Sequence, residues 1–267
     1  MLKQRIITAL VLVTIVMLAL FSENPLYWRA LISLVVLTGF YEWLKFCGIK
    51  ELPIKIVSYV LFGLALYALQ TMIVPMALMV VVSCVLWAIL LLFTMTDGLN
   101  FLHTKWVKLL IGIIVLSVAG CLVIEFKSLE NGHLWLLCFM VSVWAADIGA
   151  YFVGKRFGKT KLAPKVSPGK TVEGFAGGLV LVGLIFLPIL YINFEPKAAT
   201  LLLLTIIFTA IVSVGGDLFE SKLKRFSGLK DSSNILPGHG GVLDRIDSLL
   251  SGAPFFAAGL LLLGYLN

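Results

Sequence analysis

The chain has 267 residues, of which 60% are hydrophobic and 13% are charged, with a formal net charge of +7. A soluble domain of this size carries about 45–50% apolar and about 25% charged residues. The composition therefore excludes a soluble globular enzyme, a disordered chain, a collagen and a disulfide scaffold. It predicts an all-α polytopic integral membrane protein. Because one span needs about 20 apolar residues, nine spans are about the most that this chain can hold.

Nine apolar stretches, bounded by charged or turn residues, predict the transmembrane helices. The first, 5–21, follows Lys3 and Arg5 as the core of a signal peptide would, but no small-x-small cleavage site comes after it. We therefore interpret it as a span. The other eight are predicted near 26–45, 54–70, 72–94, 106–125, 133–153, 174–194, 198–218 and 244–266.

The basic residues predict the orientation of these helices. With the amino terminus in the cytoplasm and the spans alternating, all of the 21 Lys and Arg residues except Arg29, Lys127 and Lys197 fall on the inner side. This asymmetry is the one that the positive-inside rule describes. It predicts a cytoplasmic amino terminus. The same distribution accounts for the net positive charge, so we do not expect a nucleic-acid partner.

Two of the predicted inner loops, 154–173 and 219–243, differ from the other connections. Both are long and rich in glycine and basic residues, and most acidic residues of the carboxy-terminal half lie in or beside them. Chemistry is therefore expected at the inner face of that half. We predict an amino-terminal transmembrane scaffold of about five helices over 1–130 and a catalytic transmembrane region over 131–267.

Two helix ends in the catalytic region carry acidic side chains toward the same membrane boundary. If the eighth helix continues beyond its span, Asp217, Ser221 and Lys224 share one of its faces. Asp244 and Asp247 share a face at the start of the ninth helix. Ionised carboxylates near hydrocarbon are costly unless they are paired or bind a metal, and Mg²⁺ is typically held by one or two carboxylates together with phosphate oxygens. The arrangement predicts metal-assisted phosphoryl or nucleotidyl transfer.

Glycine and basic residues near these helix ends are suited to phosphate binding. The turn at 237–241 precedes a helix N-terminus, where amide groups attract anions. Gly215 and Gly216 remove side chains, so another backbone or a ligand can approach closely. Thr171 can cap the seventh helix while Lys170 reaches a phosphate near its positive end. The groups that can face phosphate oxygens are Lys222, Lys224, Arg225, Lys230, Arg245, Gly240 and Gly241.

Each fragment, taken alone, has a structural alternative. The basic run 221–230 can be an anchor whose lysines extend to the membrane surface, and the acids of the ninth helix can form a surface ion-pair cluster. Asp147, about two turns inside the sixth span, is a functional candidate by its depth, but it can also be a buried residue that joins helices through Tyr151. Glu42 stands out in the scaffold, and we interpret it as the ion-pair partner of Lys45, one turn away.

Two stretches resemble a known family. SKLKR at 221–225, KD at 230–231 and LPGHGGVLDRID at 236–247 resemble the signature of the phosphatidate cytidylyltransferases, also called CDP-diacylglycerol synthases. SPGKTVEG at 167–174 resembles the second motif of that family. It departs from the motif at residue 169, where glycine stands in place of a more usual lysine or arginine, and at residue 172, where valine stands in place of a bulkier residue. The resemblance is specific over about 144–251.

The resemblance implies a reaction, cofactors and partners. CTP and phosphatidate would be converted to CDP-diacylglycerol and pyrophosphate at the cytoplasmic face of a bacterial inner membrane, within reach of membrane lipids. Mg²⁺ would be required, with a monovalent cation such as K⁺ nearby, and the enzyme would be a homodimer. Carried onto this chain, the implied metal ligands are Asp217 and Asp244, with Asp247 as a further candidate.

The chemistry of phosphatidate agrees with this reading. The second pKa of a phosphate monoester is about 6, so the attacking oxygen is largely deprotonated and needs no general base. Catalysis is then positioning and charge neutralisation. His239 is a phosphate contact or, alternatively, a donor that stabilises its turn. The predicted catalytic residues are Asp217, Asp244, Asp247, Lys224 and Lys230, and the predicted substrate-binding residues are Ser221, Arg225, His239, Gly240, Gly241, Arg245, Lys170 and Asp147.

Two rival functions stay open. A CTP-dependent kinase of a polyprenol or another lipid alcohol would use similar residues but would transfer the γ-phosphate. An ion-coupled transporter would use Asp147 and Asp217 as a relay, because intramembrane carboxylates and glycine-interrupted helices are common in transporters.

Overall fold

The computed structural model describes residues 2–71, 73–96 and 102–266, which form nine α-helices and one β-hairpin. The helices are α1 (Leu2–Phe21), α2 (Pro25–Phe46), α3 (Leu52–Gln70), α4 (Met76–Met95), α5 (Lys105–Ser128), α6 (Gly132–Phe157), α7 (Val172–Asn193), α8 (Pro196–Phe226) and α9 (Leu243–Leu262). The hairpin pairs β1 (Lys161–Ala163) antiparallel with β2 (Ser167–Thr171), between α6 and α7.

Each helix coincides with one predicted span, so the all-α polytopic fold is confirmed. Among the described residues, eight helices are long and apolar enough to cross a membrane. The other helix, α2, has sufficient length at 22 residues, but Arg29, Glu42 and Lys45 reduce its hydropathy. That α2 crosses the membrane stays a prediction, as does the side on which the amino terminus lies.

The eighth helix continues well past its predicted span, to Phe226, as the common face of its acidic and basic residues requires. At Gly216 it passes very close to α9, because a Cβ there would lie 2.1 Å from Ser251 Oγ. The predicted close approach is confirmed at this glycine, whereas Gly215 faces a side chain of α4. A similar contact joins α6 and α7, where a Cβ on Gly178 would lie 2.4 Å from a carbonyl oxygen of α6. Small residues therefore bring the helices that carry the predicted site into close contact.

The predicted loop 154–173 contains the hairpin, which the sequence pattern does not indicate. The hairpin returns the chain to the start of α7, where Thr171 Oγ1 accepts a hydrogen bond from Gly174 N at 3.1 Å. This confirms the predicted cap. The Glu173 carboxylate accepts hydrogen bonds from the amides of Lys159 and Thr160, so the segment before β1 is also attached to α7.

Contacts between distant parts of the chain place several helix ends together. Lys222 of α8 donates to the carbonyl oxygens of Phe93 and Thr94 at the end of α4, at 3.2 and 3.1 Å. Ser227, at the end of α8, donates to the carbonyl oxygen of Phe46 at the end of α2, at 3.1 Å. The ends of α2, α4 and α8 thus lie side by side, as the alternating topology predicts.

Candidate active site

A polar cavity of about 440 Å³ lies at this end of the bundle, among α6, α8, α9 and the segment that joins the last two. Lys224 and Arg245 line it together with apolar side chains of α6 and α9. The three predicted metal ligands, Asp217, Asp244 and Asp247, are among the residues that line it. Five aspartates line the cavity: Asp147, Asp217, Asp231, Asp244 and Asp247.

The hairpin contributes a lysine to the α8 side of the cavity. Lys170 Nζ lies 2.6 Å from Asp217 Oδ2 and also donates to the carbonyl oxygen of Val214 at 3.3 Å. Ser221, one turn further along α8, donates to Asp217 Oδ1 at 3.2 Å. Lys170 of β2 and Ser221 of α8, two predicted site residues from separate motifs, thus both contact Asp217.

Lys224 connects α8 to α9. Its ammonium group lies 2.6 Å from Asp244 Oδ1 and 3.3 Å from Glu220 Oε2. Glu220 is buried, and its other oxygen, Oε1, has no hydrogen-bond partner among the described residues. Asp247 approaches Glu220 and accepts a hydrogen bond from the amide of Ser248. Glu220 is not a predicted site residue, although its position one turn before Lys224 on the same helix face is visible in the sequence.

The second oxygen of Asp244 is surrounded by donors from residues 227–242, which join α8 to α9 and are called the α8–α9 segment below. Oδ2 accepts from the amides of Ser232 and Gly241 at 3.0 and 2.9 Å, and it lies 2.9 Å from the Ser232 hydroxyl oxygen, whose single proton it shares with Glu42. Gly241 was expected to direct its amide at a phosphate, and in this structure the amide faces the protein's own carboxylate. Ser232 and Asp231 were not predicted as site residues, although Asp231 belongs to the motif that carries the family resemblance.

Glu42 is wholly buried and lies against the start of α9. Its oxygens accept from the amides of Val242 and Leu243 at 3.0 and 2.7 Å, and from the hydroxyls of Ser232 and Ser233. Lys45, its expected partner, places its ammonium group over the Tyr41 ring instead, 4.6 Å from the ring centroid. The interpretation of Glu42 as an ion-pair partner of Lys45 is therefore wrong, because two amides and two hydroxyls occupy its carboxylate.

Hydrogen bonds from residues close in sequence stabilise the glycine-rich turn before α9. Gly238 and Gly240 have φ of 74° and 82°, in the left-handed region that favours glycine. The amide of Leu236 donates to the carbonyl oxygen of Gly240 at 2.9 Å, which closes the turn. The Arg245 guanidinium donates twice to the carbonyl oxygen of His239, at 2.8 and 3.1 Å. Arg245 thus stabilises the turn and also lines the cavity.

Not every predicted residue lines the cavity. Arg225 and Lys230 are exposed and lie outside its lining. Lys222 is directed at the end of α4. His239 lies within the turn, where its Nδ1 is buried and has no hydrogen-bond partner among the described residues. Asp147 is exposed and lines the cavity, so it does not join helices as a buried residue.

The carboxylates are not arranged as a preformed metal site. Within the described ranges, no group of three or more His, Cys, Asp and Glu side chains has the arrangement of a metal site. Asp217 and Asp244 each hold a lysine ammonium group at 2.6 Å. Five aspartates in the lining outnumber the three basic side chains that line it or pair with it, so the cavity can accept further positive charge.

Known proteins are similar to this chain over almost its full length. A phosphatidate cytidylyltransferase of Pseudomonas aeruginosa is 41% identical over an alignment of 279 positions, which covers 99% of each chain. Proteins of the same name from Haemophilus influenzae and Bacillus subtilis are each 36% identical, over 96% and 95% of this chain and 98% and 95% of their own lengths. A sequence profile described as the cytidylyltransferase family matches residues 3–263. The chain therefore belongs to the cytidylyltransferase family and is a nucleotidyltransferase enzyme integral to a membrane.

Proposed function

We propose that the protein is a phosphatidate cytidylyltransferase, which transfers CMP from CTP to phosphatidate and releases CDP-diacylglycerol and pyrophosphate. The observation that carries the proposal is the polar cavity at the ends of α6, α8 and α9. Acidic and basic side chains of the motif at 221–247 line it, and Lys170 of the motif at 167–174 pairs with Asp217 in that lining. Relatives with this activity in their names align with the chain almost end to end.

In the proposed reaction, a phosphate oxygen of phosphatidate attacks the α-phosphorus of CTP, and the bond between that phosphorus and the oxygen bridging to the β-phosphate breaks. Pyrophosphate leaves with the bond electrons. No side chain needs to remove a proton from the nucleophile, because a phosphate monoester, with a second pKa of about 6, is largely deprotonated at neutral pH. The chain's own contribution is to orient the two phosphates and to neutralise their charge. Lys224 and Arg245 line the cavity and are the cations suited to this role.

The oxygen-rich lining fits Mg²⁺, which prefers carboxylate, phosphate and water oxygens. Asp217 and Asp244 would hold the ion, with Asp247 as a further ligand, and a monovalent cation such as K⁺ would lie nearby. Bound Mg²⁺ would supply charge neutralisation for the triphosphate. The lysine ammonium groups that lie 2.6 Å from each of these aspartates support the assignment of both carboxylates as cation ligands. Ion binding requires Lys170 and Lys224 to give up part of these contacts.

The location follows from the proposed substrates. CTP is soluble and polyanionic, whereas phosphatidate lies in the lipid layer, so a basic membrane boundary is where the two can meet. The positive-inside distribution supports the cytoplasmic face of a bacterial inner membrane. The proposal includes a homodimer among membrane lipids, which rests on the family resemblance alone.

Incubation with labelled CTP tests the proposal. Purified protein, phosphatidate and Mg²⁺ are mixed in detergent micelles, with the label in the cytosine ring in one sample and in the γ-phosphate in another. We expect ring label in the lipid and γ-label in pyrophosphate. Label from the γ-phosphate in the lipid, without cytidine, would instead identify a lipid kinase. No lipid product, together with solute movement in liposomes, would identify a transporter.

A further inference from the structure

We propose that Glu42 of α2 is a positioning residue for the reaction, which holds the start of α9 and Ser232 so that Asp244 faces the cavity. This inference rests on the proposed function. Glu42 does not line the cavity, and it lies in the predicted scaffold half, about 200 residues before the motif that it contacts. Its role would therefore be exerted through Asp244.

The first step is the division of three successive amides between two carboxylates. The amide of Gly241 donates to Asp244 Oδ2, whereas those of Val242 and Leu243 donate to Glu42 Oε1 and Oε2. Amides at a helix N-terminus have no partner within the helix and attract negative charge. Glu42 thus supplies, from another helix, the acceptors that the first turn of α9 lacks. Val242, the N-cap residue of α9, provides no side-chain cap.

The second step is a hydroxyl that touches both carboxylates. Ser232 Oγ lies 2.9 Å from Glu42 Oε2 and 2.9 Å from Asp244 Oδ2, and the amide of Ser232 donates to the same Asp244 oxygen at 3.0 Å. Ser233 contacts Glu42 through its hydroxyl. A continuous path of hydrogen bonds therefore runs from the scaffold carboxylate through the α8–α9 segment to the cavity.

The third step is the tight packing of the backbone around these hydrogen bonds. A Cβ on Gly241 would lie 1.8 Å from Ser232 Oγ and 2.6 Å from Glu42 Oε1, so the backbone packs directly on the carboxylate. The helix that carries Glu42 is itself anchored, because Trp43 Nε1 donates to the carbonyl oxygen of Lys108 at 2.8 Å. Because this contact holds α2, we expect the α8–α9 segment, and not α2, to shift when the Glu42 carboxylate is replaced.

The test replaces Glu42 with glutamine, which keeps the size of the side chain but turns an NH₂ group toward a donor. For Glu42→Gln we expect the amides of 241–243 to exchange with deuterium about tenfold faster, while amides in α6 and α7 keep their rates. We expect kcat for CDP-diacylglycerol formation to fall about tenfold or more and KM for CTP to change less than about twofold, because Glu42 contacts neither of the cations that line the cavity, Lys224 and Arg245. Exchange rates and kcat equal to those of the unaltered protein would overturn the inference.

The matched control is Glu51→Gln, the same change at an exposed glutamate directly before α3, where the side chain makes no cap hydrogen bond. It should leave both exchange and kcat unchanged. If the unaltered protein forms no CDP-diacylglycerol, the proposed function fails, but the exchange measurement still tests the role of Glu42.

A pair of serine variants keeps the inference testable if Glu42→Gln does not fold. Ser232→Ala removes a hydroxyl that contacts both carboxylates, whereas Ser233→Ala removes one that contacts Glu42 but not Asp244 and that also accepts from the amide of Ile235. We expect the larger loss of kcat for Ser232→Ala. Equal losses, or a larger loss for Ser233→Ala, would contradict a path that ends at Asp244.

Discussion

Lys224 of α8 and Asp244 of α9 form an ion pair of 2.6 Å that joins the two helices at the edge of the cavity. Their side chains are only 13% and 8% exposed. Removal of one partner from so enclosed a pair leaves the other charge without compensation, which is more costly than at a surface. The pair also links the two parts of the motif, because Lys224 belongs to 221–225 and Asp244 belongs to 236–247.

Replacement of the proposed metal ligands should abolish turnover. We expect Asp217→Asn and Asp244→Asn each to lower CDP-diacylglycerol formation at least about 100-fold, because an amide binds Mg²⁺ more weakly than a carboxylate. Both variants should still be extracted as folded protein. Activity as a function of Mg²⁺ concentration, with chelation by EDTA as the reference, is the measurement.

The control for these variants is Glu195→Gln, an exposed carboxylate just before the opposite end of α8. It should keep full activity. Near-normal turnover in either aspartate variant would remove that residue from the proposed metal site.

Lys224 should matter far more than a lysine of the same charge outside the cavity. Lys224→Gln leaves the Asp244 and Glu220 carboxylates without their shared ammonium group. We expect an activity loss of about 100-fold, measured with saturating CTP. Lys50→Gln alters an exposed residue after α2 and should cost less than about twofold. Comparable losses would mean that the amino-terminal half contributes cations to the reaction.

Two glycine variants test the packing of the α8–α9 segment. Gly241→Ala places a Cβ within 1.8 Å of Ser232 Oγ, so we expect destabilisation of about 2 kcal/mol or more and loss of activity. Gly169→Ala meets no atom within 4 Å and should behave like the unaltered protein. Thermal unfolding of the purified protein in detergent measures the difference. Equal unfolding temperatures would contradict the close contact at Gly241.

The cap of α7 gives a local test of stability. Thr171 Oγ1 accepts from the amide of Gly174, so Thr171→Ala should cost about 1 kcal/mol of unfolding free energy. Thr104 stands at the corresponding position before α5 but makes no side-chain cap, and Thr104→Ala should leave stability unchanged. Thermal unfolding of both variants compares the two caps directly. A loss of equal size in both would assign the effect to helix propensity instead of the cap.

Much of the fold was predictable from the sequence because a membrane restricts the backbone. In hydrocarbon every amide and carbonyl needs an internal partner, so a long apolar stretch becomes a helix whatever its neighbours are. The predicted spans therefore coincide with the nine helices of the described residues. The common face of Asp217 and Ser221 was equally accessible, because it depends only on helical spacing within one element. Thr171 could be identified as a cap for the same reason.

Tertiary structure decided which long-range partners meet. Glu42 binds amides about 200 positions away instead of Lys45 one turn away, and Lys222 contacts the end of α4 although its neighbour Lys224 lines the cavity. Local spacing contains no information about how two helices that are distant in the chain rotate against each other. That rotation depends on where their backbones can come close, as at Gly216, where α8 meets α9. The apolar stretches and their spacing were enough to predict the helices and the order of the reactive residues. Which carboxylates face the cavity, and that Glu42 contacts the start of α9, depends on how the helices pack.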